Sequence, residues 1–131
     1  MEHVIKGRVG HGKALGRTLG FPTANVMSGF AYSEALAGVW AGWAEATGKK
    51  WPCIVNVGRH PTFPEGPATV EAHLIGFEGD LYGEEITLRL TAFLRGQLRF
   101  ASGEALAEQL RRDTENALAI LNKEESDVRT L

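Results

Sequence analysis

Thr23 and Asn25 stand two residues apart at the end of a glycine-rich run, Gly16-Arg17-Thr18-Leu19-Gly20-Phe21-Pro22-Thr23-Ala24-Asn25. In an extended segment alternate side chains share a side, so these two present neutral oxygens together. Mg²⁺ accepts such oxygens and completes its shell with water and substrate phosphates. Upstream, Gly10, Gly12, Gly16 and Gly20 let backbone N–H groups approach anionic oxygens closely. Lys13 and Arg17 can neutralise charge, and Pro22 fixes the backbone just before the two ligands. The residue types therefore suit a phosphate and metal site. They suit plain turns as well, because Gly, Thr and Asn cap and turn chains generally. The Gly-x-x-x-x-Gly-Lys-[Ser/Thr] pattern has no full match, and the run leads into no strand–loop–helix dinucleotide unit.

Other reactive side chains are dispersed. His3, His11, His60 and His73 show no metal-ligand spacing. The one cysteine, Cys53, lies in the apolar run Pro52-Cys53-Ile54-Val55 and reads as a small buried hydrophobe. Glu71 and His73 share one face of a strand; on residue type alone Glu71 reads as a solvated or salt-bridged carboxylate, and His73 as a group that packs or hydrogen-bonds. The 131 residues carry 14 Lys and Arg against 16 Asp and Glu, a net charge of −2 with no basic stripe, so a nucleic-acid partner is not indicated. No run approaches the ~18 apolar residues of a membrane span, and the first residues lack the apolar stretch of a signal peptide. The expectation is a cytoplasmic protein, monomeric and with no membrane partner.

Strands must position these groups. Residues 3–9 alternate weakly as a first strand. Of the 16 glycines, six fall between Gly7 and Gly29, and residues 10–31 read as one long loop, of a length that is usually functional. Residues 33–37 suggest a helical turn. Residues 38–45 put Val39, Ala41 and Trp43 on one face, and 47–50 read as a hairpin turn. Residues 51–58 return with Trp51, Cys53, Val55 and Val57 on one face. Residues 59–68 form a second, proline-rich loop. Residues 69–77 set Val70, Ala72 and Leu74 against Glu71 and His73. Residues 85–95 alternate without a break, Ile86 to Leu94 against Thr87 to Arg95. Ser102 is a helix N-cap candidate, and Leu106, Leu110, Ala117, Leu118 and Leu121 recur at helical spacing. The spacing predicts a helix over about 102–121, with 122–131 a fraying polar tail. Five or six antiparallel strands with one apolar face close most easily into a small barrel, so the fold class is all-β with a C-terminal α-helix.

Six segments in order resemble the riboflavin kinase family. They are Gly7-Arg8-Val9 through Gly16-Arg17-Thr18-Leu19-Gly20-Phe21-Pro22-Thr23-Ala24-Asn25; Gly38-Val39-Trp40-Ala41; Asn56-Val57-Gly58-Arg59-His60-Pro61-Thr62-Phe63; Val70-Glu71-Ala72-His73-Leu74; Asp80-Leu81-Tyr82-Gly83; and Leu94-Arg95 with Phe100. The resemblance covers residues 5 to 121 and implies a kinase domain over 1–121. It implies a six-stranded antiparallel Greek-key barrel with a late helix. It implies transfer of the ATP γ-phosphate to the 5′-hydroxyl of riboflavin, giving FMN and ADP with Mg²⁺, or Zn²⁺ or Mn²⁺ in its place. Thr23 and Asn25 become metal ligands and Glu71 the general base. Gly10, Gly12, Lys13, Gly16, Arg17, Gly20, Phe21 and Pro22, with Thr23 and Asn25, become the ATP site. The second loop and the helix border the flavin, with Arg95 and Arg112 as candidate contacts.

The chain departs from the family in three respects. Trp40 stands where Tyr is common. Gly96-Gln97 replaces a frequently acidic pair, which puts a carboxylate contact near the flavin in doubt. The His-x-Gly-His motif of the adenylyltransferase domain carried by many bacterial relatives is absent, so the expected product is FMN and not FAD. The alternative reading is a flavin- or nucleotide-binding barrel without catalysis.

Overall fold

The structure is a computed structural model and describes residues 3–10, 23–27, 36–58, 69–98 and 100–130, with side chains to residue 124. Six strands precede one helix: β1 (His3–Gly10), β2 (Ala24–Met27), β3 (Gly38–Ala46), β4 (Lys49–Gly58), β5 (Thr69–Leu74), β6 (Glu85–Arg95) and α1 (Gly103–Thr130). The strands close into a barrel in the order β1-β2-β5-β4-β3-β6, every pair antiparallel. β3, β4 and β5 follow one another and β6 returns to lie beside β3, which is Greek-key order. Closure gives each of the six strands a partner on both sides.

Alternation builds two cores. Inward positions such as Ile5, Val26, Val55, Ala72 and Leu88 fill the barrel. On the outside, Val39, Ala41 and Ile54 are covered by Ala117 and Leu121 of α1, with Trp43, Ile75, Ala92 and Leu94 packed around them. Strands β3 and β4 are thus apolar on both faces, as burial on both sides requires. The helix starts where expected: Ser102 Oγ accepts from the Ala105 N–H at 3.1 Å, with Glu104 in the first turn.

Four expectations change in detail. The long loop read over 10–31 contains β2, a strand of only 4 residues whose Ala24 and Val26 face inward while Asn25 does not. So short an alternation is masked by the glycines around it. The unbroken alternation of 85–95 is broken: the β3–β6 register shifts between Ala41 and Gly42 and again between Val39 and Trp40. These bulges move Ala92 and Leu94 from the barrel side to the helix side, although Ile86, Leu88 and Leu90 point inward. The hairpin turn is only Thr47-Gly48, with φ of 54° and 74°, which is the type I′ pattern matching strand twist. The helix runs to Thr130 instead of ending near 121. Residues 122–130 lose the apolar stripe but contain no Gly or Pro to stop the backbone, which continues as helix. The turn expected at 33–37 lies outside the described residues except for Leu36 and Ala37.

Candidate active site

One line of register crosses all six strands. Gly10 pairs with Asn25, Asn25 with Glu71, Glu71 with Asn56, Asn56 with Val39, and Val39 with Arg95. Residues opposite one another in an antiparallel pair lie on the same face. Ala24, Ala72, Val55 and Val57 face the barrel interior, so Asn25, Glu71 and Asn56 face out, side by side on β2, β5 and β4. The line does not close on itself, because strands in a small barrel tilt and stagger. Gly10 ends up near the start of β6, where Arg8 pairs with Glu85, whereas Arg95 is the last residue of β6. Gly10, Asn25, Glu71 and Asn56 therefore form one patch, and Arg95 stands three strand spacings from Glu71, roughly 14 Å along the sheet.

Glu71 is half-buried, and this burial raises its carboxyl above the ordinary value of 4.5. Among the described residues no side chain donates a hydrogen bond to it, so desolvation is not offset. Asn25 turns its amide nitrogen along β2 toward Met27 Sδ at 3.6 Å. Thr23 lies immediately before β2 and is partly buried. On the other side of Glu71, Gln97 Nε2 donates to Asn56 Oδ1 at 2.8 Å. Gln97 can lie there because Gly58 has no side chain: a Cβ at Gly58 would meet Gln97 Oε1 at 2.6 Å.

Gly12, Lys13, Gly16, Arg17, Gly20, Phe21 and Pro22 lie outside the described residues. Their stretch of chain begins at Gly10 and ends at Thr23, and so is joined to the patch at both ends. The 59–68 segment is likewise joined at Gly58 and Thr69, beside Asn56 and Glu71.

Arg95 is placed elsewhere. Its Nε and Nη2 donate to both oxygens of Asp113 on α1 at 2.8–3.2 Å, and Nη1 donates to the Gly96 carbonyl at 3.0 Å. Asp113 is 2% exposed and also accepts from Gln109 Nε2 at 3.0 Å. A carboxylate so desolvated requires these donors, and β6 supplies them. Arg112 is exposed and pairs with Glu108 one turn earlier at 3.4 Å. Asn56 and Gln97 were not singled out as site residues. Asn56 is the outward polar residue in a strand that is otherwise apolar from Trp51 onward, which was a signal. Its adjacency to Glu71 is a matter of register, which alternation does not give.

The fold class is thus a closed Greek-key barrel with a docked helix and an outward polar patch centred on one carboxylate. Residues 1–121 match the flavokinase family model, described as riboflavin kinase, and the chain belongs to that family. A bifunctional riboflavin kinase/FMN adenylyltransferase of Pseudomonas fluorescens is 41% identical over 117 residues, which are 88% of this chain and 37% of that protein. The protein of the same name from Bacillus subtilis (strain 168) is 37% identical over 120 residues, 88% of this chain and 38% of its own length. The chain therefore spans little more than a third of these relatives. Among solved structures, riboflavin kinase from Trypanosoma brucei superposes with a TM-score of 0.66 at 24% identity, over 93% of this chain and 81% of that one, a likeness of fold. A macrolide-efflux protein from Streptococcus pneumoniae superposes with a TM-score of 0.76 at 33% identity, over 86% of this chain but 37% of that one.

Proposed function

We propose that the chain transfers the γ-phosphate of ATP to the terminal ribityl hydroxyl of riboflavin. The observation that carries the reading is the direct pairing of Asn25 with Glu71, in a chain of the riboflavin kinase family. It sets a neutral oxygen ligand and a carboxylate with no donor among the described residues on neighbouring strands, with Cα atoms about 5 Å apart.

The chemistry needs a proton acceptor and charge neutralisation. Glu71 takes the hydroxyl proton as the oxygen bonds to the γ-phosphorus. The bond from that phosphorus to the β,γ-bridging oxygen breaks, FMN and ADP form, and the proton remains on Glu71. A carboxyl raised by burial is a stronger base than an ordinary one. The residues around it fit a divalent cation shared with phosphates: Thr23 and Asn25 offer neutral oxygens, and the Asn25 nitrogen is the end turned to Met27. Thr23 and Asn25 would hold Mg²⁺, which when bound neutralises phosphate charge. Lys13, Arg17 and the backbone N–H groups of Gly10, Gly12, Gly16 and Gly20 add to the ATP site, with Phe21 and Pro22 shaping it. Within the described residues no helix is long and apolar enough to cross a membrane.

The test is incubation with riboflavin, ATP and Mg²⁺ and chromatographic separation of the flavins. FMN formed only when all three are present is the expected result. Riboflavin retained without FMN would replace this reading with a non-catalytic binding barrel.

A further inference from the structure

Glu71 is flanked on its β4 side by an amide whose bonding is half complete. Asn56 Oδ1 accepts from Gln97 Nε2 at 2.8 Å. With its oxygen occupied, Asn56 has its NH₂ group left to offer. Among the described residues that NH₂ has no acceptor, and the Glu71 carboxylate beside it has no donor. The two are register partners, yet they are not bonded to each other. Asn56 is exposed, so a ligand can reach it. A donor and an acceptor held side by side are complementary to a group that is both at once, and an alcohol is that group.

We propose that Asn56 and Glu71 together form a two-point receptor for the acceptor hydroxyl, with Gln97 as the positioning residue that sets the Asn56 amide. The proposal rests on the kinase reading above. The hydroxyl oxygen has four tetrahedral directions. One is its bond to carbon. Its O–H donates to Glu71. One lone pair accepts from Asn56 Nδ2. The second lone pair is left to attack phosphorus. Asn56 thus fixes the rotation of the hydroxyl about its C–O bond, which Glu71 alone leaves free. The two flanks of Glu71 divide the work: Asn25 on β2 toward the metal and phosphates, Asn56 on β4 toward the acceptor. Gly58 enters as the residue whose bare Cα lets Gln97 lie over the strand.

The groups that face Glu71 permit a clean test. On β2 the outward residues are Asn25 and Met27; on β4 they are Asn56 and Ile54, so neither neighbouring strand places a charge beside it. On β5 itself His73 lies two residues on. On α1, Asp113 is closed on Arg95, and Ala117 and Leu121 pack with Val39, Ala41 and Ile54.

Steady-state kinetics of the full chain, with riboflavin and Mg·ATP varied separately, would test the proposal. Asn56→Ala should lower kcat/KM for riboflavin roughly tenfold, the size of one lost hydrogen bond, and leave the KM for ATP unchanged. Gln97→Glu replaces a donor by an acceptor. Its carboxylate draws the Asn56 NH₂ to itself and leaves Asn56 Oδ1 facing Glu71, so it should cost about as much as Asn56→Ala. In an Asn56→Ala background the Gln97→Glu change should cost little more, because it acts through Asn56. Asn56→Ser, which keeps a short hydroxyl donor, should recover part of the loss. Both positions are at the surface, and unchanged melting temperatures would exclude a general structural effect. Equal losses from Gln97→Glu with and without Asn56, or Asn56→Ala within twofold of wild type, would overturn the proposal while wild type still makes FMN. If wild type makes no FMN, the kinase reading falls and takes this proposal with it.

Discussion

Glu71 and Asp113 are two carboxylates held out of water on the outer surface of the same barrel, and they are treated in opposite ways. Asp113 is 2% exposed and closed by three hydrogen bonds from Nε and Nη2 of Arg95 and one from Gln109. Glu71 is half-buried with no donor among the described residues, and its carboxyl is raised. A closed set of this kind is spent on structure: it fastens the end of β6 to α1, next to the apolar contacts of Ala117 and Leu121. An open carboxylate is held at a cost in stability and retains its basicity for a ligand. The same register line runs through Glu71 and through Arg95, the partner of Asp113. On the proposed reading, one half of that line serves chemistry, while the Arg95 half is closed on the helix.

Breaking each carboxylate in turn separates the two roles. Glu71→Gln keeps shape and removes the proton acceptor. FMN formation should fall by roughly 10²–10⁴-fold, with riboflavin and ATP binding retained by titration. A variant with wild-type turnover would end the base assignment. Asp113→Ala should do the reverse. It leaves the Arg95 guanidinium, only 17% exposed, without its carboxylate, and should destabilise the fold by about 3 kcal/mol in denaturant unfolding. Turnover per folded molecule should be close to normal. A large loss of turnover with stability intact would show that the clasp also serves the ligand site.

A smaller break lies between the two regions. Gly58 has φ of 146°, and a Cβ there would meet the Gln97 amide at 2.6 Å. Gly58→Ala should cost on the order of 1–3 kcal/mol of stability from backbone strain, read by thermal unfolding, and should also displace Gln97. If the variant is as stable as wild type, the left-handed geometry at Gly58 is not required.

The comparison also explains what was legible in the sequence. Period-2 patterns over Val70-Ala72-Leu74 and Cys53-Val55-Val57 gave the barrel interior directly, because inward positions must be apolar. Glu71 is visible as the polar residue on such a strand, and the role proposed for it rests on resemblance. The clasp was hidden. Arg95 and Asp113 lie 18 residues apart on different elements, and an ion pair across a strand–helix contact leaves no periodic trace. The bulges in β6 were hidden for the same reason: alternation through Ala92 and Leu94 looks unbroken until β3 sets the register. Cys53 read correctly as core, and its burial pushes the thiol up to about 12, so thiol reagents should leave the folded protein unmodified.

The smallest expected effect is the most direct measure of how open Glu71 is. Its carboxyl is raised from 4.5 in the folded chain by desolvation, so the folded state holds this proton more tightly than the unfolded state does. Stability from this group is therefore greatest in acid and declines as pH rises from the ordinary carboxylate value through the raised one. Gln at this position has no proton to lose. Other titrating groups are shared by wild type and Glu71→Gln and cancel in the difference between them. The melting temperature of the variant should match wild type most closely near pH 4 and exceed it increasingly toward pH 7.5. Asp113→Asn provides the contrast: it weakens the Arg95 clasp, and the variant should melt below wild type at pH 7.5. A Glu71→Gln difference that stays flat from pH 4 to 7.5 would mean that Glu71 ionises as an ordinary surface carboxylate, and its basicity would then have to come from the bound substrates instead of from the barrel.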